Sequence, residues 1–354
     1  MRHHASTILL AAVLLAAAQQ PSVAKEYKLT VAGAPPAIVT PSFVTKTFFV
    51  PTVTKRAKAC GDTLTINEAY GQTLAKAGET LEAVEEGIAH IGMILRNFEE
   101  AKLPLDQYAS VMPFVVSDPR VMNEIDMAVR KKVPAMNKMY ARYGLVYLAG
   151  SSEHSWQLFT TFPVKRYEDL KGHKIGGSGS LGNFIRGTGA VLVNSAMQDS
   201  YTSIKNGLYD GYPINMYLAF PYRTYQAAKY YTVTNFGTTS VAALTVNAKT
   251  WATFSPCLQK AFRDTAAEWS RQYVKTNDAR LAKFSGIVKK KGGNVFTTLS
   301  QAERKRWAMT LPPMAKQWAA ALEAKGLPAK AVIKAFMEEA RARGIKPARD
   351  WDKE

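Results

Sequence analysis

Short apolar segments alternate with longer helix-compatible stretches along most of the 354-residue chain. Alternation of apolar and polar residues, typical of strands, marks EYKLTVAG and DTLTINEAY, and compact apolar runs mark HIGMIL, VMPFVV and GLVYLAG. Helices are predicted between them at residues 42–60, with a break near Pro51, and at 78–86 and 119–140. This order of strands and helices predicts an α/β fold with parallel sheets.

A second series of elements begins at WQLFTT and continues through the strand KIGG. Helices near 181–187 and 200–206, a strand near 209–214 and the strand VAALTVN follow. The remaining residues are predicted to be mainly helical, at 256–290, 301–325 and 329–343. Two α/β lobes with a helical C-terminal region fit this order better than one lobe.

The N-terminus predicts export. Residues 1–24 have a basic start, MRHH, an apolar run over 8–18 and the small-x-small sequence Ser22-Val23-Ala24, which is typical of a secretory signal peptide cut after Ala24. The alternative is a membrane anchor, but the run is shorter than the ~20 residues that span a bilayer. We therefore expect a periplasmic protein with the signal peptide removed.

The chain is strongly basic, with 46 Lys and Arg against 28 Asp and Glu and a formal net charge of +18. These charges are spread over the chain, for example from Lys46 to Lys353, and do not form the single basic stripe, interleaved with aromatic residues, that nucleic-acid binding favours. We expect a solvated basic surface suited to anionic ligands or surfaces, and no nucleic-acid partner.

Cysteine usage leaves two alternatives open. Cys60 and Cys257 are the only cysteines of the chain. In an oxidising compartment they can form a disulfide, but two buried thiols are equally compatible with the sequence.

The glycine-rich segment DLKGHKIGGSGSLG, residues 169–182, is a candidate ligand-binding loop. It lacks the Lys-Ser or Lys-Thr pair of a P-loop, and its glycine spacing departs from the dinucleotide-binding pattern. A flexible connection between a strand and a helix and a contact with another ligand remain as alternatives.

No metal site, cofactor or catalytic group is predicted. His90, His154 and His173 have no metal-ligand spacing with one another or with the cysteines. No segment resembles G-x-S-x-G or another nucleophile elbow. A binding protein is therefore favoured over the alternative of a secreted hydrolase.

Four segments resemble one protein family in their order and spacing. VMPFVVSDPR, FPVKRYEDLKGHKIGG, QDSYTSIKNGLYDGYPIN and KYYTVTNFG are similar to the running pattern of the periplasmic solute-binding proteins of TRAP (tripartite ATP-independent periplasmic) transporters, the DctP family. The resemblance implies two α/β lobes joined by crossing hinge strands and a long hinge-spanning helix, which close over a small organic molecule. It implies that lobe I comprises residues 25–153 and about 241–280, and lobe II residues 154–240 and about 281–354.

The sequence departs from this family at the positions expected to bind the ligand. The usual arginine, which takes a carboxylate with two hydrogen bonds, falls on Gly176, and a second arginine of some members falls on Trp156. The further positions that the resemblance places at the cleft are Leu95, Arg96, His154, Gly177, Ser178, Met197, Tyr212, Ile214, Asn215 and Tyr217. Loss of the guanidinium is expected to leave room for a bulkier, ring-bearing or largely apolar solute.

The expected function is capture of such a solute, with or without a carboxylate group, and its delivery to membrane permease subunits. Binding of a C4-dicarboxylate or sugar acid through a substitute cation is an alternative. Another is a sensor-coupled receptor with the same cleft, which the sequence does not distinguish from a transport receptor.

Overall fold

The computed structural model describes residues 25–177 and 179–354. The predicted signal peptide and Ser178 lie outside the described residues. The strands are β1 Glu26–Gly33, β2 Thr63–Tyr70, β3 Ile91–Leu95, β4 Leu145–Ser152, β5 Leu158–Thr160, β6 Lys174–Gly177, β7 Val191–Asn194, β8 Gly211–Pro213, β9 Tyr230–Val233, β10 Ser240–Asn247 and β11 Val295–Thr298. The helices are α1 Thr40–Val44, α2 Val50–Ala59, α3 Thr80–Glu85, α4 Pro119–Lys132, α5 Ala135–Arg142, α6 Ser200–Lys205, α7 Met216–Ala219, α8 Thr224–Ala227, α9 Ala248–Thr253, α10 Pro256–Lys291, α11 Gln301–Thr310, α12 Met314–Glu323 and α13 Ala329–Ala342.

Two sheets form the centres of two lobes, as the sequence predicts. Lobe I contains a sheet in the order β2-β1-β3-β10-β4, and lobe II a sheet in the order β11-β9-β5-β8-β6-β7. Parallel pairing joins β1 to both β2 and β3, and β6 to both β7 and β8. The carboxyl ends of these strands therefore meet at one edge of each sheet, which is where open α/β sheets bind ligands.

Two segments without regular secondary structure cross between the lobes and form the hinge. One connects β4 to β5 through residues 153–157, and the other connects β9 to β10 through residues 234–239. They are hydrogen-bonded to each other, with the Trp156 amide donating to the Gly237 carbonyl at 3.1 Å and the Phe236 amide to the Trp156 carbonyl at 3.1 Å. The crossing strands implied by the family resemblance are confirmed.

Helix α10 is the long hinge-spanning helix. Ser255 caps its N-terminus by accepting a hydrogen bond from the Leu258 amide, and Gly292, with a φ of 70°, follows its last residue. Its 36 residues extend over about 54 Å, packing against α2 and β4 in lobe I and against α7 in lobe II.

Cys60 and Cys257 form a disulfide, which decides between the two alternatives that the sequence left open. Their Cα atoms are 5.7 Å apart. Cys60 follows α2 and Cys257 lies in the first turn of α10, so the bond joins the start of the long helix to the rest of lobe I.

Prolines divide two of the predicted helices. The helix expected at 119–140 is α4 and α5, separated at Pro134, and the helix expected at 301–325 is α11 and α12, separated at Pro312 and Pro313. Proline has no N–H group to continue the helix and disfavours helical backbone at the residue before it. The strands β7, β9 and β11 are short and were not predicted.

The C-terminal helices differ from the predicted lobe boundary. Residues 281–354 were expected in lobe II, but α13 packs against α4 of lobe I, and α12 packs against α13 and residues 104–111. The Trp351 indole also donates a 2.9 Å hydrogen bond to the Pro113 carbonyl. Their apolar faces are thus buried on lobe I, whereas β11 and α11 pack with lobe II.

Candidate functional site

The candidate site is the cleft between the two lobes, near the carboxyl edges of the sheets, where open α/β sheets bind ligands. At its outer side the Asn183 amide of lobe II donates a 3.2 Å hydrogen bond to the Ser110 carbonyl of lobe I. At its inner side the crossing segments hold the lobes together. Gly33, Leu95 and Gly177 are the last residues of β1, β3 and β6.

Gly176 does not open free space in lobe II. A Cβ atom at this position would lie 2.6 Å from ring atoms of Tyr209 and 2.8 Å from the ring of Tyr212. Both rings are buried, and their hydroxyls bond Ser195, Tyr212 donating to its carbonyl at 2.9 Å and Tyr209 lying 3.1 Å from its Oγ. The expectation that loss of the family arginine leaves room there is therefore corrected, because two tyrosines occupy the space.

The packing around Gly176 predicts that a restored arginine is not tolerated. Gly176→Arg is expected to lower the free energy of unfolding by about 1–3 kcal/mol, because overpacking forces the two rings to move. Urea denaturation measures this change, and adding Tyr209→Ala should recover part of it. Gly286→Ala, on a helix with no atom within 4 Å of the added Cβ, is the control and should be neutral or stabilising. Equal stability of Gly176→Arg and wild type would contradict this packing.

Trp156 is part of the crossing segment. Its indole N–H donates a 3.0 Å hydrogen bond to Thr239 Oγ1 on the other crossing segment, and the side chain is buried in the core shared with Phe236. In this conformation the indole therefore stabilises the hinge. The ring is buried and is not exposed to a ligand.

The other apolar candidates lie close to the strand ends. Ile214 follows β8 and is fully buried, with its amide donating to the Gln157 carbonyl at 2.9 Å. Met197 is half-buried in the turn before α6, and Leu95 is half-buried at the end of β3. Gly177 is buried beneath Leu192, whose Cδ1 would lie 3.3 Å from an added Cβ. Met197 and Leu95 are the more accessible of these side chains.

Two further candidates, Asn215 and Tyr217, meet in a buried polar cluster at the hinge. The Tyr217 hydroxyl donates to the Glu153 carboxylate and accepts a 3.1 Å hydrogen bond from Asn215 Nδ2. Tyr273 and Asn277 of α10 also donate to Glu153. His154 lies beside them, with Nε2 2.8 Å from Asp278 Oδ1. We name the group of Glu153, Asn215, Tyr217, Tyr273 and Asn277 the hinge cluster.

Glu153 has an unusual environment for a carboxyl group. Burial raises its pKa to about 7, although the hydrogen bond from Tyr273 and the charge of Arg280 act in the opposite direction. The hinge cluster includes residues from the crossing segment, from lobe II and from α10. The protonation state of Glu153 therefore affects the contacts that join the two lobes.

Stability should depend on pH through Glu153. The unfolded carboxyl ionises near 4.5, whereas the buried one keeps its proton up to about pH 7, so stability falls as pH rises through this window. The loss is on the order of 3 kcal/mol and should be absent from Glu153→Gln. Urea denaturation at pH 5 and pH 8 measures it, with the exposed Glu86→Gln as control. A wild-type minus Glu153→Gln difference that does not change with pH would contradict the prediction.

Arg96 points away from the cleft, which corrects its predicted position. Its guanidinium is fully buried in lobe I, where it donates to Asp126 at 3.1 and 3.3 Å and to the Tyr147 hydroxyl at 2.7 Å. Arg130 and Asp106 complete this buried ion cluster. Burial would raise the pKa of Asp126, but Arg130 and Arg96 more than offset burial and hold that pKa well below its ordinary value. Arg96 is therefore committed to the core of lobe I.

Sequence reasoning missed residues that depend on distant packing. Tyr209, Ser195, Glu153, Tyr273 and Asn277 were not predicted at the site. A signal existed for Glu153, an acidic residue directly after a buried strand and next to the candidate His154. Ser178, which was predicted at the cleft, lies outside the described residues.

Residues 25–177 and 179–354 contain no group of His, Cys, Asp or Glu side chains that could hold a metal ion. In the same part of the chain no helix is long and apolar enough to cross a membrane.

Comparisons with known proteins agree with this architecture. The family model described as bacterial extracellular solute-binding protein, family 7 (DctP) matches residues 63–321. A search of curated proteins found no match.

Several solved structures share the fold. A TRAP periplasmic solute-binding protein from Desulfovibrio salexigens has 21% identity and a TM-score of 0.79, with 88% of this chain and 95% of that chain covered. One from Sulfitobacter, with bound β-D-galacturonate, has 19% identity and a TM-score of 0.70, with 86% and 99% covered. DctP6 of Bordetella pertussis, which binds pyroglutamic acid, has 20% identity and a TM-score of 0.73, with 88% and 100% covered.

Identities this low establish a common fold and not a common ligand. The family match extends over more than half of the sequence and includes the crossing segments, the whole of α10 and every strand of the two sheets except β1. The chain therefore belongs to the DctP family of bacterial extracellular solute-binding proteins, the periplasmic receptors of TRAP transporters.

Proposed function

We propose that this protein captures a small aromatic or largely apolar solute between its two lobes and delivers it to the membrane permease subunits of a TRAP transporter. The family consists of solute receptors and is not an enzyme family. The proposal adds the chemical class of the solute, the signal peptide over residues 1–24 and the transport role to that family assignment.

The environment of Gly176 carries the proposal. With glycine at this position and the rings of Tyr209 and Tyr212 packed over it, no guanidinium fork can form there. Hydrogen bonds to charged groups contribute roughly 1.5–3 kcal/mol each. A short dicarboxylate or sugar acid thus loses the anchor on which its affinity would mainly depend.

Apolar side chains near the strand ends support the second half of the proposal. Ile38, Leu74 and Phe98 are exposed and lie in the loops that follow β1, β2 and β3 of lobe I. Leu192 is exposed on β7, and Met197 is half-buried in lobe II. Burial of an apolar solute against such side chains yields about 25 cal/mol per Å2, which compensates for the missing fork.

A carboxylate on the solute remains compatible with the proposal. The structural neighbours from Sulfitobacter and Bordetella pertussis bind a sugar acid and pyroglutamic acid. We propose that neutral donors and the strongly basic surface hold such a group here, without a fork from residue 176.

Two measurements test the proposal on the purified mature protein. Native mass spectrometry should detect one solute retained per chain, and its mass should correspond to an aromatic or largely apolar compound. A thermal-shift screen should include aromatic acids, dicarboxylates, sugar acids, amines and neutral polar solutes. A ligand at 100 times its Kd stabilises the native state by about 2.7 kcal/mol.

The outcomes separate the two parts of the proposal. Stabilisation by aromatic or largely apolar compounds supports both parts. Stabilisation by sugar acids or dicarboxylates alone overturns the solute class and leaves the receptor role. The absence of a stabiliser in every class, together with no retained solute, overturns the receptor role.

A further inference from the structure

A groove of about 550 Å3 lies on the surface of lobe I, between α2 and β2. Its strand side consists of Leu64, Ile66 and Glu68, which alternate along β2 and therefore lie on one face of the sheet. Its helix side consists of Lys46, Val50, Pro51, Thr54, Lys55 and Lys58. All of these residues belong to lobe I, and none of them was placed at the ligand cleft by the sequence.

The strand beside the groove is an edge of the lobe I sheet. Within the described part of the chain β2 pairs with β1 alone, so the N–H and C=O groups on its outer side have no strand partner there. With eight residues β2 is long for an edge strand, which proteins usually keep short. Thr63, Thr65 and Asn67 are exposed, which leaves this edge accessible to another chain.

The groove is positively charged. Lys46, Lys55 and Lys58 are exposed, and none of them forms a salt bridge with any residue in the ranges 25–177 and 179–354. Glu68 is the one carboxylate among the described lining residues. Three ammonium groups are thus available to the carboxylates of a partner, and they attract it most strongly at low ionic strength.

The surface between the lysines is partly apolar. Leu64 is buried, and Val50 and Ile66 are half-buried. The methylene stem of a glutamate can cover such a surface while its carboxylate stays with the ammonium groups, as the stems of other long charged side chains do. Alternate residues of a strand are about 6.6 Å apart, so three side chains of an added strand extend over about 13 Å, the length of β2 from Leu64 to Glu68.

We propose that this groove binds an extended acidic segment of a partner protein, which adds to the outer edge of β2 as a further strand and directs every second side chain toward the lysines. Main-chain hydrogen bonds to β2 provide the affinity, and Lys46, Lys55 and Lys58 select acidic side chains at alternate positions. The partner site is on the edge of lobe I and does not depend on the solute proposed for the cleft.

The probe for the test is the peptide acetyl-Thr-Glu-Thr-Glu-Thr-Glu-Thr-amide, titrated calorimetrically into the mature protein at low ionic strength. The same peptide with glutamine in place of each glutamate has nearly the same shape and no charge. It should bind at least about tenfold more weakly, because the charge-assisted bonds to the lysines are lost.

Two N-methylated forms of the acidic peptide test whether it binds as a strand. One has methyl groups on the three glutamate amides, and the other has them on three of the threonine amides. Successive residues of a strand direct their N–H groups to opposite edges, and only one edge of the peptide can face β2. One form should therefore lose binding at least about tenfold, and the other should stay within about threefold of the unmodified peptide.

Two charge-matched variants locate the binding site. Lys46→Gln/Lys55→Gln/Lys58→Gln should weaken binding of the acidic peptide at least about tenfold. Lys283→Gln/Lys290→Gln/Lys305→Gln removes the same charge from exposed lysines outside the groove and should change it less than about twofold. All six positions are exposed, so both variants should fold as wild type does.

Four results would overturn the proposal. They are no binding of the acidic peptide by wild type, equal binding of the glutamate and glutamine peptides, an equal effect of the two N-methylation patterns, and an equal effect of the two triple variants. Wild type that binds phosphatidylglycerol vesicles and not the peptide would also overturn it, because the lysines would then serve a membrane surface.

Discussion

Replacing Cys60 and Cys257 by serine is expected to lower the free energy of unfolding by about 4–5 kcal/mol. The disulfide joins residues separated by 197 positions, so it removes more conformational entropy from the unfolded chain than a bond that closes a short loop. It also fixes the start of α10 to the end of α2 in lobe I. Urea denaturation of the double serine variant and of wild type, with and without reductant, measures the loss.

The effect of reductant on the two proteins is the control for the disulfide prediction. Reductant should destabilise wild type by a similar amount and leave the serine variant unchanged. A change below about 1 kcal/mol in wild type would mean that the bond constrains little of the unfolded chain.

Arg96→Met is expected to lower the free energy of unfolding by about 3–5 kcal/mol, because removal of one partner leaves buried charges uncompensated. Asp126 would lose two hydrogen bonds from Arg96, and Asp106 its ion pair with the same guanidinium. Urea denaturation measures the effect, with the exposed Arg271→Met as control, expected to remain within about 0.5 kcal/mol of wild type.

Ligand affinity distinguishes the buried position of Arg96 in lobe I from the position at the cleft that the sequence predicted. Where Arg96→Met is still folded, its affinity for the solute should be close to that of wild type. A variant with unchanged stability and lost binding would place Arg96 at the ligand instead.

The architecture could be predicted because its signals are local. Apolar runs and helical periods identified most strands and helices, and four motifs in order identified the lobes and the long helix. The breaks at Pro134 and Pro313 were also local signals, since proline stops a helix wherever it occurs in the interior. The position of α12 and α13 on lobe I was not predictable in this way, because it depends on which apolar surface they cover.

The site could be predicted only in part, because its side chains are placed by residues distant in sequence. Gly176 was correctly singled out, but the space above it depends on Tyr209 and Tyr212. Arg96 turns into lobe I because Gly150 leaves room for it. A Cβ at position 150 would lie 1.8 Å from the Arg96 guanidinium.

The hinge cluster also depends on contacts between residues that are distant in sequence. His154 and Tyr217 were predicted as ligand contacts from their alignment with a cleft. In the structure Tyr217 bonds Glu153, and Glu153 also accepts from Tyr273 and Asn277 of the long helix. The sequence does not indicate which helix turn lies beside the crossing segment, so the partner of the buried acid could not be found from it.

Calorimetric titration of wild type with phenylacetate and with galacturonate tests the central claim most directly. The two acids carry the same charge, and only the first has an apolar ring. Because residue 176 offers no guanidinium fork, we expect phenylacetate to bind at least about tenfold more tightly, at one molecule per chain. Tight binding of galacturonate with no measurable binding of phenylacetate would contradict the account of this cleft.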